Sequence, residues 1–435
     1  MRVLVYSYGS RGDVQPYVAL AHALNTQGHT AVLSAPARFG ALASDYGIEF
    51  RARDDGLLRL YTEDPDVRKL IAGELSGGER KKDRLNAVEK LRQGFREYLP
   101  RLLEDTWLAA EDGADLVVHP YDDFELGHHV AEKLGVPSVL ATFYPNFVPS
   151  RHYPSAAIKL GTELPQWLNR LSYLLLGRRQ TESAEVDRWR QERLGLPLRQ
   201  GRHDRLRRPD GGRVPVLHGF SKHLVAPAPD WPAHVHTTGF WHLPHRSDWS
   251  PPEHLSTFLA SGAPPVLVGF GSIAGADPTE TGRIVTRAAV IAGVRVVVAS
   301  GWGSIQVDEA SENVCVTGEV PYDWIFPRVA AAVLSGGTGS VHAALAAGTP
   351  QVNCTLQTEQ FMWGTRAQQA GGGLAPVARD SLTPETLAAL FARLTKDTKL
   401  ARRTARLSES VRAEGGAEAA VRLLASFQQP VVKAT

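Results

Sequence analysis

The stretch Val329-Ala330-Ala331-Ala332-Val333-Leu334-Ser335-Gly336-Gly337-Thr338-Gly339-Ser340-Val341-His342-Ala343-Ala344-Leu345-Ala346-Ala347-Gly348-Thr349-Pro350 decides the fold. An apolar run of strand character enters a glycine-rich turn, and the turn opens an alanine-rich helix that stops at Gly348. Small residues let a ligand approach the main chain, and the first turn of a helix presents unpaired N–H groups at the positive end of its dipole. Thr338 and Ser340 add hydroxyl donors, so a diphosphate suits this turn. The plainer reading is a tight strand–helix turn whose glycines serve packing. No lysine follows the glycines, so this is not a P-loop, and His342 stands where the dinucleotide fingerprint has its third glycine. A second loop, Gly269-Phe270-Gly271-Ser272, ends a strand of the same half and can bring Ser272 to the same phosphates.

Outward from this segment the strand–helix alternation continues in both directions. Val3 to Tyr8 reads as a buried strand, followed by the turn Gly9-Ser10-Arg11-Gly12-Asp13. A helix follows, with Pro16 expected in its first turn and Gly28 at its end, and Thr30 to Ala35 is the next strand. Asp115–His119, Pro137–Thr142, Val266–Phe270, Val294–Ser300 and Val314–Thr317 also read as strands. The tract Gly77 to Asp83 reads as a loop. Six prolines between Pro227 and Pro252 signal a linker. The expected division is a first domain at 1–226, a linker at 227–252, a second domain at 253–415 and a helical tail at 416–435 that can pack back on the first domain. The fold class is α/β: two Rossmann-like, doubly wound domains facing one interdomain cleft, a preferred place for ligands.

Asp13 lies in the turn after the first strand. A carboxylate there would repel a diphosphate, so this loop is not a nucleotide site despite its glycines. Facing a cleft, Asp13 can accept a proton from an attacking hydroxyl; the plainer reading is a helix N-cap, and the two roles can coexist. Asp64-Pro65-Asp66 has the spacing of a cation-binding D-x-D, but no apolar strand leads into it, and a solvated turn is expected. His128 and His129 are adjacent, so on a helix they diverge by about 100° and cannot share a metal.

Composition narrows the function further. The 435 residues carry a net charge of +2, which gives no reason to bind nucleic acid. The two cysteines, Cys315 and Cys354, sit in apolar surroundings and are expected to be reduced. No apolar run reaches the ~18 residues of a membrane span, and the first residues do not read as a signal peptide. A cytoplasmic protein is expected, with peripheral membrane contact left open, as a monomer or homodimer.

Taken together, Tyr8 through Pro16, Asn169-Arg170-Leu171-Ser172-Tyr173, Val268 through Ser272, Ser300-Gly301-Trp302-Gly303, Val320 through Trp324 and Gly336 through Gln360 resemble a known family. The chain resembles the GT-B fold UDP-glycosyltransferases, most closely the branch of sterol glucosyltransferases and bacterial antibiotic-aglycone glycosyltransferases. The resemblance implies inverting, metal-independent sugar transfer, with no bound cofactor and an NDP-sugar co-substrate of UDP-glucose or dTDP-deoxysugar type. It implies an acceptor-binding first domain and a donor-binding second one. Asp13 occupies the catalytic-base position. Ser272, Trp302, Val320, Ser335, Gly337, Thr338, Gly339, Ser340, Glu359 and Gln360 match the donor site, with Glu359-Gln360 as the pair that grips sugar hydroxyls. Arg11, Phe143, Tyr144 and Phe147 are the acceptor candidates, the aromatics because they suggest a greasy pocket or ordinary core. The family's phosphate turn usually begins His-His-Gly-Gly; here Leu334-Ser335 precedes the glycines, and leucine donates no hydrogen bond. That departure supports an alternative: a non-catalytic or partner-activating homologue with impaired donor binding. A sugar-nucleotide epimerase is a third reading.

Overall fold

Short runs of Val, Leu and Ala such as Arg2–Tyr6 and Ala331–Leu334 have no polar side to turn to water. They form parallel strands covered on both faces. The computed structural model describes residues 1–71, 81–122, 124–155, 164–178, 184–198, 206–208, 211–271, 277–301, 304–307, 311–356 and 358–427. Ser272, Trp302 and most of the Gly77–Asp83 tract lie outside the described residues.

The first sheet contains β1 (Arg2–Tyr6), β2 (Thr30–Pro36), β3 (Glu49–Arg53), β4 (Leu116–Pro120), β5 (Ser138–Thr142), β6 (Val216–His218) and β7 (Val235–Thr237). Their order is β3-β2-β1-β4-β5-β6-β7, and every pairing is parallel. The second sheet contains β8 (Val266–Gly269), β9 (Val296–Ala299), β10 (Val314–Thr317), β11 (Ala331–Leu334), β12 (Gln351–Thr355) and β13 (Val377–Ala378), in the order β10-β9-β8-β11-β12-β13. Both sheets are doubly wound, with the strand order reversing beside β1 in one and beside β8 in the other. Ligands bind such sheets beyond the carboxyl ends of the strands at the reversal. The loops after β1, β8 and β11 are therefore the ones that count, and they are the glycine loops read from the sequence.

The chain passes between the lobes twice. On the way out, β7 falls inside the stretch read as linker, where three residues are too few to show a periodicity. On the way back, the helix Gly416–Ser426 buries Ala417, Ala420, Val421 and Leu424 in the first lobe's core beside the helix Arg11–Thr26. That spacing is one apolar stripe of a helix. The two crossings touch: a Cβ on Gly239, just past β7, would meet Glu414 Cβ at 2.7 Å, and one on Gly416 would meet the Phe240 carbonyl oxygen at 2.6 Å. Glu414 Oε1 also accepts hydrogen bonds from the loop between β6 and β7, from Ser221 Oγ at 3.1 Å and from the Lys222 N–H at 2.9 Å. Cys315 and Cys354 are both free and buried.

Candidate active site

The helix after β1 starts at Arg11, one turn earlier than expected. Ser10 is the N-cap position and Asp13 the third helical residue, so Asp13 is not itself the cap. Its carboxylate reaches back, and Oδ2 accepts the Ser10 N–H at 2.8 Å and the Ser10 hydroxyl at 2.9 Å. This is the returning half of a capping box. Pro16 consequently lies in the second turn rather than the first. Gly9 has φ +131°, and a Cβ there would stand 2.5 Å from Asp13 Oδ2, so the turn has room for the carboxylate only because position 9 has no side chain. Asp13 is open to water, and Glu359 of the second lobe feels its charge. Desolvation raises its pKa, against the two Ser10 hydrogen bonds.

Across the cleft, the loop after β11 holds Gly336, which has φ +89°. A Cβ there would meet the Gln360 carbonyl oxygen at 2.6 Å. Gly337 is the N-cap of the helix Thr338–Ala347, and among the described residues no side chain caps that end. Ser340 Oγ donates to the Gly337 carbonyl at 3.0 Å. Gly339 follows Thr338 in the first turn, and Ser335 Oγ lies beside Gly271 of the loop after β8. Leu334 points the other way, 1% exposed in a cluster with Leu267, Phe326 and Ala344. It offers nothing to an anion in the turn.

Glu359 and Gln360 open the helix Thr358–Gln369. Gln360 is buried, and its Oε1 accepts the Leu356 N–H at 2.9 Å. Desolvation, then the charge of Asp13, raise Glu359 to about 7, against a hydrogen bond from Tyr144. The two carboxylates thus share one cleft. Arg11 donates Nε to Gln15 Oε1 at 2.9 Å and pairs through Nη1 with Glu319 of the second lobe, next to Val320. Val320 packs, partly buried, on the second lobe's core.

The acceptor candidates separate. Phe143 is no cleft wall. It packs edge-on to Tyr17 and Trp241 in the first lobe's core, where Gly219 leaves space for its ring. Phe147 stacks on Tyr121 at 3.9 Å between centroids. Tyr144 reaches across instead, and its hydroxyl accepts from Thr338 Oγ1 at 3.3 Å. Its signal was an aromatic hydroxyl just past the carboxyl end of a strand, but no local pattern says which lobe it meets.

His342 was read only as a missing glycine. It is fully buried, stacks on Phe240, donates from Nδ1 to the Thr338 carbonyl at 2.7 Å, and accepts the Ser221 N–H at Nε2 at 3.1 Å. Burial lowers its pKa to about 3, so it is neutral, and it ties the helix Thr338–Ala347 to the loop between β6 and β7 of the first lobe. Asp64 and Asp66 both hold Lys90, at 2.9 and 2.7 Å. His128 and His129 diverge, one beside Ser138 and the other beside Arg190. Among the described residues no group of three or more His, Cys, Asp or Glu is placed to hold a metal ion, and no helix is long and apolar enough to cross a membrane.

Comparison with known proteins adds to this geometry. Residues 3–151 match the glycosyltransferase family 28 N-terminal domain, and residues 284–425 match the C-terminal domain of erythromycin biosynthesis protein CIII-like proteins. The chain is 30% identical over 435 residues to a sterol 3-beta-glucosyltransferase of Candida albicans, covering 96% of this chain and 27% of that protein. It thus spans about a quarter of that relative's length. Among solved structures, the glycotransferase of kitacinnamycin matches with a TM-score of 0.67 at 18% identity, covering 99% of both chains. The Streptomyces sp. SF2575 glycosyltransferase SsfS6, complexed with thymidine diphosphate, matches with 0.59 at 20% identity over 98% of this chain and 99% of that one. At these identities the structural likeness speaks for the fold.

Proposed function

The chain belongs to the GT-B fold UDP-glycosyltransferase family, and on that premise we propose that it moves a hexose from an NDP-sugar to a hydroxyl of a lipophilic acceptor. The donor is of UDP-glucose or dTDP-deoxysugar type, and the acceptor a sterol-like or natural-product alcohol. The observation that carries this reading is the facing pair of helix starts: one holds the Asp13 carboxylate, and the other has first-turn amides that no side chain caps among the described residues.

In this reading the diphosphate sits on the amides of Thr338, Gly339 and Ser340, with Ser335 and Ser272 beside it. Glu359 and Gln360 face the sugar, while Trp302 and Val320 face the base. Asp13 removes the proton of the acceptor hydroxyl as its oxygen attacks the anomeric carbon. The bond from that carbon to the diphosphate oxygen breaks on the far side, inverting the centre. The electron pair leaves with the diphosphate, whose charge the helix amides hold where another enzyme would use a cation. Desolvation helps Asp13 as a base by raising its affinity for the proton. The 1–226 domain takes the acceptor and the 253–415 domain the donor, so closure across the cleft brings them together and excludes water.

Leu334 favours a second reading, a partner-activating homologue that has lost donor binding, because its buried side chain gives the turn no hydrogen-bond donor. Calorimetric titration with UDP and dTDP, followed by a screen of donors against lipophilic alcohols read by mass spectrometry, decides between the two. Nucleotide binding with a mass gain on an acceptor supports transfer. A chain that binds neither nucleotide is the second kind. Conversion of a sugar nucleotide without acceptor would mark an epimerase.

A further inference from the structure

His342 lies one turn into the helix Thr338–Ala347, with its ring fully buried. Nδ1 is 2.7 Å from the Thr338 carbonyl oxygen, and Nε2 is 3.1 Å from the Ser221 main-chain nitrogen. A carbonyl can only accept and a main-chain N–H can only donate. The two partners therefore fix the tautomer, with the proton on Nδ1 and the lone pair on Nε2. Phe240, just past β7, stacks on the ring at 4.9 Å between centroids, and Trp363 meets it edge-on at 4.9 Å. The first turn of the same helix also rests on Phe240, because a Cβ on Gly339 would stand 3.6 Å from Cζ of that ring. Ser221 is itself tied down: its hydroxyl donates to Glu414 Oε1 at 3.1 Å and accepts the His223 N–H at 3.1 Å.

We infer that His342 is a positioning residue, whose imidazole fixes the first turn of the helix Thr338–Ala347 to the Ser221 loop of the first lobe and so sets where Thr338, Gly339 and Ser340 stand relative to Asp13. Thr338 is at once the carbonyl that the ring holds and the first amide of the anion site. One flat, rigid side chain thus spans from that residue to the other lobe through two hydrogen bonds. In-line transfer needs this register, because a donor held by one lobe must meet a hydroxyl activated on the other, and a misplacement of about 1 Å can cost on the order of 100-fold in rate. The register part rests on the transfer reading; the tie between the helix and the first lobe does not.

This role separates from anion binding. The amides of the first turn belong to the helix backbone and remain when the imidazole is replaced, so the anion keeps its site while the register between the lobes loosens. Three replacements take the two hydrogen bonds apart. Phenylalanine keeps the stack on Phe240 and makes neither bond. Glutamine carries its amide about where imidazole has Nε2, so it offers Ser221 an acceptor and keeps the tie to the first lobe. Asparagine carries its amide about where imidazole has Nδ1, so it keeps only the bond within the helix.

The test compares wild type with His342→Phe, His342→Gln and His342→Asn by kinetics, by calorimetry with UDP and dTDP, and by the distance between spin labels on the two lobes. The labels go on Gln27→Cys of the first lobe and Lys399→Cys of the second, both exposed, while the native Cys315 and Cys354 are buried. In His342→Phe and His342→Asn kcat falls about 30-fold, nucleotide affinity stays within about twofold, and the distance distribution broadens. In His342→Gln the narrow distribution returns and kcat recovers to within about threefold of wild type. If His342→Phe does not fold, asparagine against glutamine carries the same comparison. Wild-type kcat and distances in His342→Phe, equal behaviour of the asparagine and glutamine variants, or a nucleotide affinity that falls in step with kcat would each overturn the inference. Wild-type chain without turnover on any donor would defeat the transfer reading alone, and the label distances would still decide the tie.

Discussion

Two turns face each other across the cleft and are built alike: a buried parallel strand, glycines with positive φ, then a helix. They differ in what stands inside the first helical turn. After β1 it is Asp13, which folds back on Ser10 and satisfies the end of its own helix. After β11 it is Thr338, Gly339 and Ser340, and among the described residues no side chain caps them. In the proposed reading, one backbone design yields a site for a proton on one side and a site for an anion on the other. The difference rests on a single carboxylate.

The strongest way to break this comparison is to remove that carboxylate. Asp13→Ala should cut the transfer rate by about a thousandfold, while calorimetry shows nucleotide affinity within about twofold. Comparable losses in both would mean that the two turns do not divide the work. The next variant makes the second turn resemble the first. At Gly337, with φ −64°, a Cβ would meet nothing closer than 3.8 Å, so aspartate fits without strain. Gly337→Asp should cap the helix and leave the melting temperature unchanged or slightly higher. Nucleotide affinity should fall about a hundredfold, or ~2.7 kcal/mol. The smallest effect comes from crowding the first turn. Gly9→Ala puts a methyl into the Asp13 carboxylate and asks alanine for φ +131°, which should cost about 1–3 kcal/mol in urea denaturation. A neutral outcome there would show that the loop relaxes and that the Ser10–Asp13 arrangement is not rigid.

Much of this was legible in the residues. The strands beside both reversals are unbroken apolar runs, and the glycines after them mark the turns. The Ser10-x-x-Asp13 spacing also carries a capping box, which puts the helix start at Ser10 rather than at Asp13. Other features had no local trace. β3 carries charge in alternation, with Glu49, Arg51 and Arg53, and so shows no apolar run. β7 is three residues in a proline-rich stretch. Phe143 and Tyr144 are neighbours of similar character, yet one fills a core and the other reaches the opposite lobe. Their fates depend on how the lobes meet, and no window of sequence contains that.

The side-by-side crossings at Gly239–Phe240 and Glu414–Gly416 carry a mechanical consequence. Two spans that meet at one post act as a door hinge: the halves can swing, but they cannot shear past each other. Opening would then lift Asp13 away from Thr338 along a fixed arc and return it along the same arc, so each closing would restore the same alignment of base and anion cradle. Cutting the returning span would keep both pockets and lose their aim.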